Sequence, residues 1–359
     1  MQVKVGSLFA CASAALFATV AVAAPTPAKS NLIVFGNSLS DVGNTAALTG
    51  SQTYWNGRYS NSYVWNEYTA KILGMSLVNR AYGGATSNNE LSPASSKNIT
   101  IPSYHDQVEA WIAANPSPSA YSLQNDLIEV EIGGNDILGR VAGLLVGTVD
   151  LNEFAGQLAA SIATDTHKLI SAGYKNIAIW NLPAVDKTPM ALSYGASALI
   201  KPVVSAINSA IKAALQPLPG VRVFDLNSLM EVALQPTVLA ALGVTDWTTA
   251  CYKTDAAGKV SACANPDQHL FTDSIHPSGR MHYLWGAAAA VLARNPTAVI
   301  DVAEALKLIG TFDIGQSSRE DNIIADDATT TTTATSTDYY STSSAVIPTY
   351  TTSVLPKCH

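Results

Sequence analysis

Five short apolar runs, at residues 32–35, 76–78, 127–132, 177–180 and 221–224, recur between stretches of helical periodicity at residues 62–73, 151–171, 196–215 and 281–293. Connections of that length do not make hairpins; they cross over a sheet, so the strands pair in parallel with helices on both faces. The runs read as apolar stretches without strict alternation, which fits strands covered on both sides. The sequence therefore predicts an α/β chain with a three-layer α/β/α architecture around a central parallel sheet. In such sheets ligands bind outside the carboxyl ends of the strands. Three runs pass there into polar, glycine-rich turns: Gly36-Asn37-Ser38-Leu39-Ser40-Asp41, Arg80-Ala81-Tyr82-Gly83-Gly84 and Gly133-Gly134-Asn135-Asp136.

The ends of the 359-residue chain have a different character. Lys4, an apolar run over residues 5–20 and then Ala21-Val22-Ala23-Ala24-Pro25 follow the order of a secretory signal peptide. Cleavage is expected near Ala23 or Ala24, which gives a leader over residues 1–23, a secreted protein and no lasting transmembrane segment. The segment from Thr329 to Ser353 holds eleven Thr and five Ser. It has too little apolar surface to offset the entropy of ordering, so residues 316–359 are expected to be a disordered, O-glycosylated tail that could associate with a surface. The folded domain is expected over residues 28–315. Asn98-Ile99-Thr100 is an N-glycosylation sequon, which places Asn98 on a surface loop.

Charge and cysteine content exclude several functions. The formal net charge is -7, charged residues are 13% of the chain, and no basic run provides a footprint for nucleic acid. The four cysteines lack paired zinc-ligand spacing, and neither a zincin nor a P-loop motif occurs. Cys251 and Cys263 bracket a short polar loop and are expected to form a disulfide, leaving Cys358 at the terminus. Ser209 and Lys212 match S-X-X-K without its companion motifs and are read as a helix surface.

The polar turns carry the elements of a nucleophilic site. Ser38 follows a buried strand, where a turn can present its hydroxyl together with its own N–H. A serine hydroxyl needs a base, and the base needs an orienting group. Asp273-Ser274-Ile275-His276 provides them: an Asp three residues before a His can accept the Nδ1 proton and leave Nε2 free to take the serine proton. Negative charge developing on an attacked carbonyl oxygen needs fixed donors, for which the Ser38 N–H, an N–H of the Gly83-Gly84 turn and the Asn135 amide are suited.

With these residues in order, the chain resembles the GDSL lipases and esterases of the SGNH hydrolase superfamily. The likeness spans residues 31–290. It rests on four blocks: Phe35-Gly36-Asn37-Ser38-Leu39-Ser40-Asp41-Val42-Gly43-Asn44, Asn79 to Thr86, Gly133-Gly134-Asn135-Asp136 and Asp273-Ser274-Ile275-His276-Pro277. Residues 56–61 and 102–108 look like secreted fungal and bacterial members, including those similar to thermolabile haemolysins and phospholipases. The resemblance implies a flavodoxin-like SGNH fold, Ser38 as nucleophile, His276 as base and then acid, and Asp273 as its orienter. It also implies an oxyanion hole from Ser38, Gly84 and Asn135, with Gly84 preferred to Gly83 by its spacing from Asn79, and no metal or cofactor. The chain departs from the family at Asn37, where Asp is usual; retained activity with an altered pH profile is expected.

The expected activity is hydrolysis of lipid or phospholipid acyl esters through an acyl-enzyme on Ser38. The same residues could serve a carbohydrate acetylesterase or an acyltransferase, and a secreted binding protein is the alternative of a different class. Tyr54, Trp55, Tyr59, Tyr63 and Trp65 could line an acyl or sugar site, with core packing the ordinary role of each. His105, His167, His269 and His282 lack a carboxylate at catalytic spacing and are expected to be structural or exposed.

Overall fold

The computed structural model describes residues 29–51, 53–255 and 259–325. The expected leader, most of the expected tail and Cys358 lie outside the described residues. Strands β1 (Asn31–Gly36), β2 (Ser76–Asn79), β3 (Leu127–Glu131), β4 (Ile177–Trp180) and β5 (Val221–Phe224) form one parallel sheet in the order β2-β1-β3-β4-β5. The chain leaves β1 toward β2 on one side and returns to β3 on the other. The carboxyl ends of β1 and β3 therefore flank the switch point where such sheets open a crevice. Ser38 follows β1 and Asn135 follows β3.

Helices α1 (Trp65–Leu73), α2 (Tyr104–Ala114), α3 (Gly134–Val146), α4 (Leu151–Ser171), α5 (Ser197–Leu215), α6 (Leu226–Ala233), α7 (Gly279–Arg294) and α8 (Val302–Thr311) cover the sheet. Successive side chains of a strand point to opposite faces. Leu32, Val34, Trp180 and Phe224 thus pack with α1, α6, α7 and α8, whereas Ile33, Phe35, Ile128, Val130 and Ile179 pack with α2, α3, α4 and α5. Helix α5 is long and apolar enough to cross a membrane, but Ile200, Val203, Val204, Ile207 and Ile211 form a stripe buried in this second core.

Two short parallel strands, β6 (Asp246–Ala250) and β7 (His269–Phe271), stand outside the main sheet. The expected disulfide joins Cys251, just after β6, to Cys263. Its loop is anchored to the segment after β7, because Tyr252 N–H donates to Thr272 O at 2.6 Å and Thr272 N–H donates to His276 O at 2.8 Å. The packed chain continues past residue 315. Arg280 Nε donates to Ser317 O at 2.9 Å, and Ile323 and Ile324 lie against the first core.

Candidate active site

Ser38, His276 and Asp273 meet although 238 positions separate the first two. His276 Nε2 lies 2.8 Å from Ser38 Oγ, and His276 Nδ1 lies 2.6 Å from Asp273 Oδ2. The carboxylate can only accept at Nδ1, which fixes the tautomer and leaves the Nε2 lone pair for the serine proton. Asp273 Oδ1 also accepts from the N–H groups of Ile275 at 2.8 Å and His276 at 2.7 Å, so the three-residue spacing closes a compact turn. Burial pushes the Asp273 carboxyl up, but the His276 charge and hydrogen bonds from His276, Tyr54 and Ile275 outweigh it and bring the pKa to about 2. Asp273 is thus ionised across the neutral range.

Two of the groups expected to hold an oxyanion, Asn135 and the Gly83-Gly84 turn, are tied to each other and to the block that carries Ser38. Asn135 is in the first turn of α3, whose helix dipole adds partial positive charge there. One hydrogen of its amide is given to Ala85 O at 2.8 Å, which ties α3 to the second glycine turn and leaves the other hydrogen. Gly83 N–H is committed to Asp41 Oδ2 at 2.9 Å and is thereby taken up within the turn. Gly83 must itself be glycine because a Cβ there would lie 2.3 Å from the Tyr59 ring. Tyr59 in turn stacks on His276, with ring centroids 5.2 Å apart at 29°.

A family model for GDSL-like Lipase/Acylhydrolase matches residues 32–289. The chain belongs to this family. Among curated relatives of this GDSL chain, a Thermolabile hemolysin of Vibrio parahaemolyticus is 29% identical over 173 residues, 46% of this chain and 37% of the hemolysin. A Phosphatidylcholine-sterol acyltransferase of Aeromonas hydrophila is 25% identical over 303 residues, 81% of this chain and 85% of that protein. The chain thus spans about a third of the first relative and most of the second. Among solved structures, Est24, a carbohydrate acetylesterase from Sinorhizobium meliloti, aligns with a TM-score of 0.41 at 15% identity, covering 74% of this chain and 99% of Est24.

Several residues that shape the GDSL site carry no role in the sequence reading. Asp41, in the same block as Ser38, accepts from Gly43, Asn44 and Thr45 N–H as well as Gly83 N–H, joining the first two blocks. Gln107 clamps the end of β1: its amide oxygen accepts from Gly36 N–H and its nitrogen donates to Gly36 O, each at 2.9 Å. Asn61 holds the far side of the histidine loop, accepting from Gly279 N–H at 2.8 Å and donating to Asp267 at 3.0 Å. Their signal was their presence in the quoted blocks, which does not say what each one contacts.

The aromatic stretch divides. Trp65 is fully buried in the core, and Trp55 and Tyr63 pack together around Arg58. Tyr59 covers His276, and Tyr54 donates to Asp273 Oδ2 at 2.6 Å. Of the other histidines, His282 is buried and accepts from Trp65 N–H at 3.4 Å, and burial followed by the nearby His276 lowers its pKa to about 3. His105 does find a carboxylate, Asp165 on α4 at 2.9 Å, in a cluster with Lys168 that ties α2 to α4. Ser209 and Lys212 lie exposed on α5. Asn98 is exposed at the tip of a two-residue turn.

Proposed function

We propose that this protein is a secreted serine esterase or lipase that hydrolyses lipid or phospholipid acyl esters through an acyl-enzyme on Ser38. The supporting observation is the unbroken line from Ser38 Oγ through His276 to Asp273, at 2.8 and 2.6 Å. Ser38 Oγ attacks the ester carbonyl while His276 Nε2 takes its proton, and the carbonyl oxygen becomes an oxyanion facing the N–H groups of Ser38 and Gly84 and the Asn135 amide. Collapse of this intermediate breaks the bond to the alcohol oxygen, which receives the proton from His276. Water then attacks the acyl carbon, gives a proton to His276, and the acid departs as Ser38 recovers that proton.

Lipid acyl esters are favoured over acetylated carbohydrate by the names of the matched relatives, a hemolysin and an acyltransferase of phosphatidylcholine. The acyltransferase also supports a second reading, in which an alcohol replaces water in the last step. Secretion rests on the leader-like first 23 residues, glycan attachment at Asn98 on its sequon and exposure, and surface association on the Ser/Thr-rich tail.

Release of p-nitrophenol from acetate, butyrate, octanoate and palmitate esters, with Ser38→Ala alongside, tests the proposal. Ser38-dependent activity rising toward long chains is expected. A preference for acetate would replace lipid with acetylated carbohydrate. Ser38-independent hydrolysis, or none by folded protein, would overturn the mechanism and favour a binding role.

A further inference from the structure

Tyr54 reaches the site from the loop between the Ser38 block and α1. Its hydroxyl donates at 2.6 Å to Asp273 Oδ2, the same oxygen that faces His276 Nδ1. The phenol is held on a tight hairpin. Tyr54 and Trp55 N–H donate to Arg58 O, and Arg58 N–H donates back to Trp55 O at 2.8 Å. Asn56 and Gly57 between them have φ of 44° and 85°, the left-handed pair that a two-residue hairpin turn demands. Gly57 also packs so closely on Gly43, in the nucleophile block, that a Cβ would lie 2.4 Å from the Gly43 Cα. The Arg58 guanidinium grips both oxygens of Glu67 on α1.

The other side of Tyr54 faces the disulfide loop. Its ring meets Tyr252 edge-on, with centroids 5.2 Å apart at 82°. Tyr252 follows Cys251, which is bonded to Cys263, and its N–H is tied to Thr272, the residue before Asp273.

We propose that Tyr54 is a positioning residue for ester hydrolysis, its hydroxyl fixing the Asp273 carboxylate against His276 while the Cys251–Cys263 loop braces Tyr54 through Tyr252. This rests on the reading of Ser38, His276 and Asp273 as the reacting set. A carboxylate oxygen shared by a phenol and an imidazole cannot rotate away from the imidazole without giving up both bonds. The phenol keeps its proton, because burial and then the Asp273 charge push its pKa upward, so it donates throughout the working range. Tyr59, stacked on the imidazole with a pKa raised by burial to about 12, and His282, lowered by burial to about 3, also neighbour it. Neither changes charge over the neutral range.

Tyr54→Phe removes the hydroxyl and keeps the ring against Tyr252. With p-nitrophenyl butyrate, kcat is expected to fall about tenfold with KM unchanged, the size of effect expected for one charge-assisted hydrogen bond. Tyr252→Ala, which removes the ring braced against Tyr54, is expected to lower kcat in the same direction. Wild-type kcat in Tyr54→Phe would overturn the inference, as would a change confined to KM, which would make Tyr54 a substrate contact. Ser38→Ala in parallel separates the two ideas: full loss there beside an unaffected Tyr54→Phe removes only the role of Tyr54, whereas retained activity in Ser38→Ala removes the reacting set itself.

Discussion

The side-chain amide of Asn37 lies beside the buried carboxyl of Glu131, the residue paired with Gly36 at the end of β3. Asn37 Oδ1 accepts from Leu39 N–H at 2.9 Å, and the NH2 group that remains favours the ionised form of Glu131. Burial pushes the Glu131 carboxyl up to about 8, against the lowering effect of Asn37, so it is largely neutral at pH 7. The amide therefore matches an acid beneath the nucleophile turn. An Asp at position 37 would set a second carboxyl against it.

Asn37→Asp is accordingly expected to weaken this enzyme despite bringing it closer to the usual family sequence. Two carboxyls in one buried site cannot both ionise cheaply. A loss of about 2–4 kcal/mol at pH 8, smaller at pH 5, with reduced esterase rate, is expected from thermal melts and initial rates. Adding Glu131→Gln should restore much of both. A single variant as stable as wild type and more active would show that the pair does not constrain the turn.

Glu131 also sets a stability profile. Its pKa is about 8 in the folded chain against 4.5 for the free side chain, so the unfolded chain ionises first as pH rises. Below pH 4.5 both states are protonated and there is no penalty. Between about 4.5 and 8 the folded state loses stability with each unit, and above 8 the penalty is complete. Glu129, raised to about 7 by burial against the lowering effects of Arg222 and Trp180, adds in the same direction. Denaturant unfolding of Glu131→Gln at pH 5 and pH 8 should show a larger gain over wild type at pH 8; equal gains would contradict the buried neutral acid.

Asp41 holds four backbone N–H groups across the first and second blocks. Asp41→Ala frees the Gly83-Gly84 turn and should cost about 2–4 kcal/mol in stability and about 100-fold in kcat, because a displaced oxyanion donor acts on the transition state. Asp41→Asn, which keeps one acceptor oxygen, should lie between. Urea melts and p-nitrophenyl butyrate turnover measure both, and an unchanged kcat in Asp41→Ala would free the turn from any part in the chemistry.

The disulfide closes a short loop with a separation of 12 residues. Replacing Cys251 and Cys263 together with Ser should lower unfolding free energy by about 2–3 kcal/mol, as the chain-entropy account gives for loops of this size. Equilibrium unfolding checks this, and no loss would mean the loop is held by its backbone bonds alone.

The sheet was legible because its strands are short apolar runs and the connecting helices have one greasy face. All five strands and the helices at α1, α4, α5 and α7 fall where periodicity places them, with α1 starting at Trp65 because Val64 N–H is held by Glu67 in an extended entry. Ser38, His276 and Asp273 were legible because the chemistry needs a rare set of residue types at strand ends. Asp41 to Gly83, Gln107 to Gly36 and Tyr54 to Asp273 were not, since their partners are 42, 71 and 219 positions away. Glu131 escaped notice for a different reason. It sits in an apolar run where pattern alone reads a strand, and only the fold shows that its carboxyl lies under the nucleophile turn.

Under the proposed mechanism Ser38 becomes acylated because His276 activates it. Labelling of the folded protein with a fluorophosphonate, followed by intact-mass and peptide mass spectrometry, tests this step. One adduct per chain is expected, on Ser38, lost in Ser38→Ala and strongly slowed in His276→Ala, in step with the loss of ester hydrolysis. Hydrolysis by a folded protein that takes no label at Ser38 would overturn the proposed mechanism.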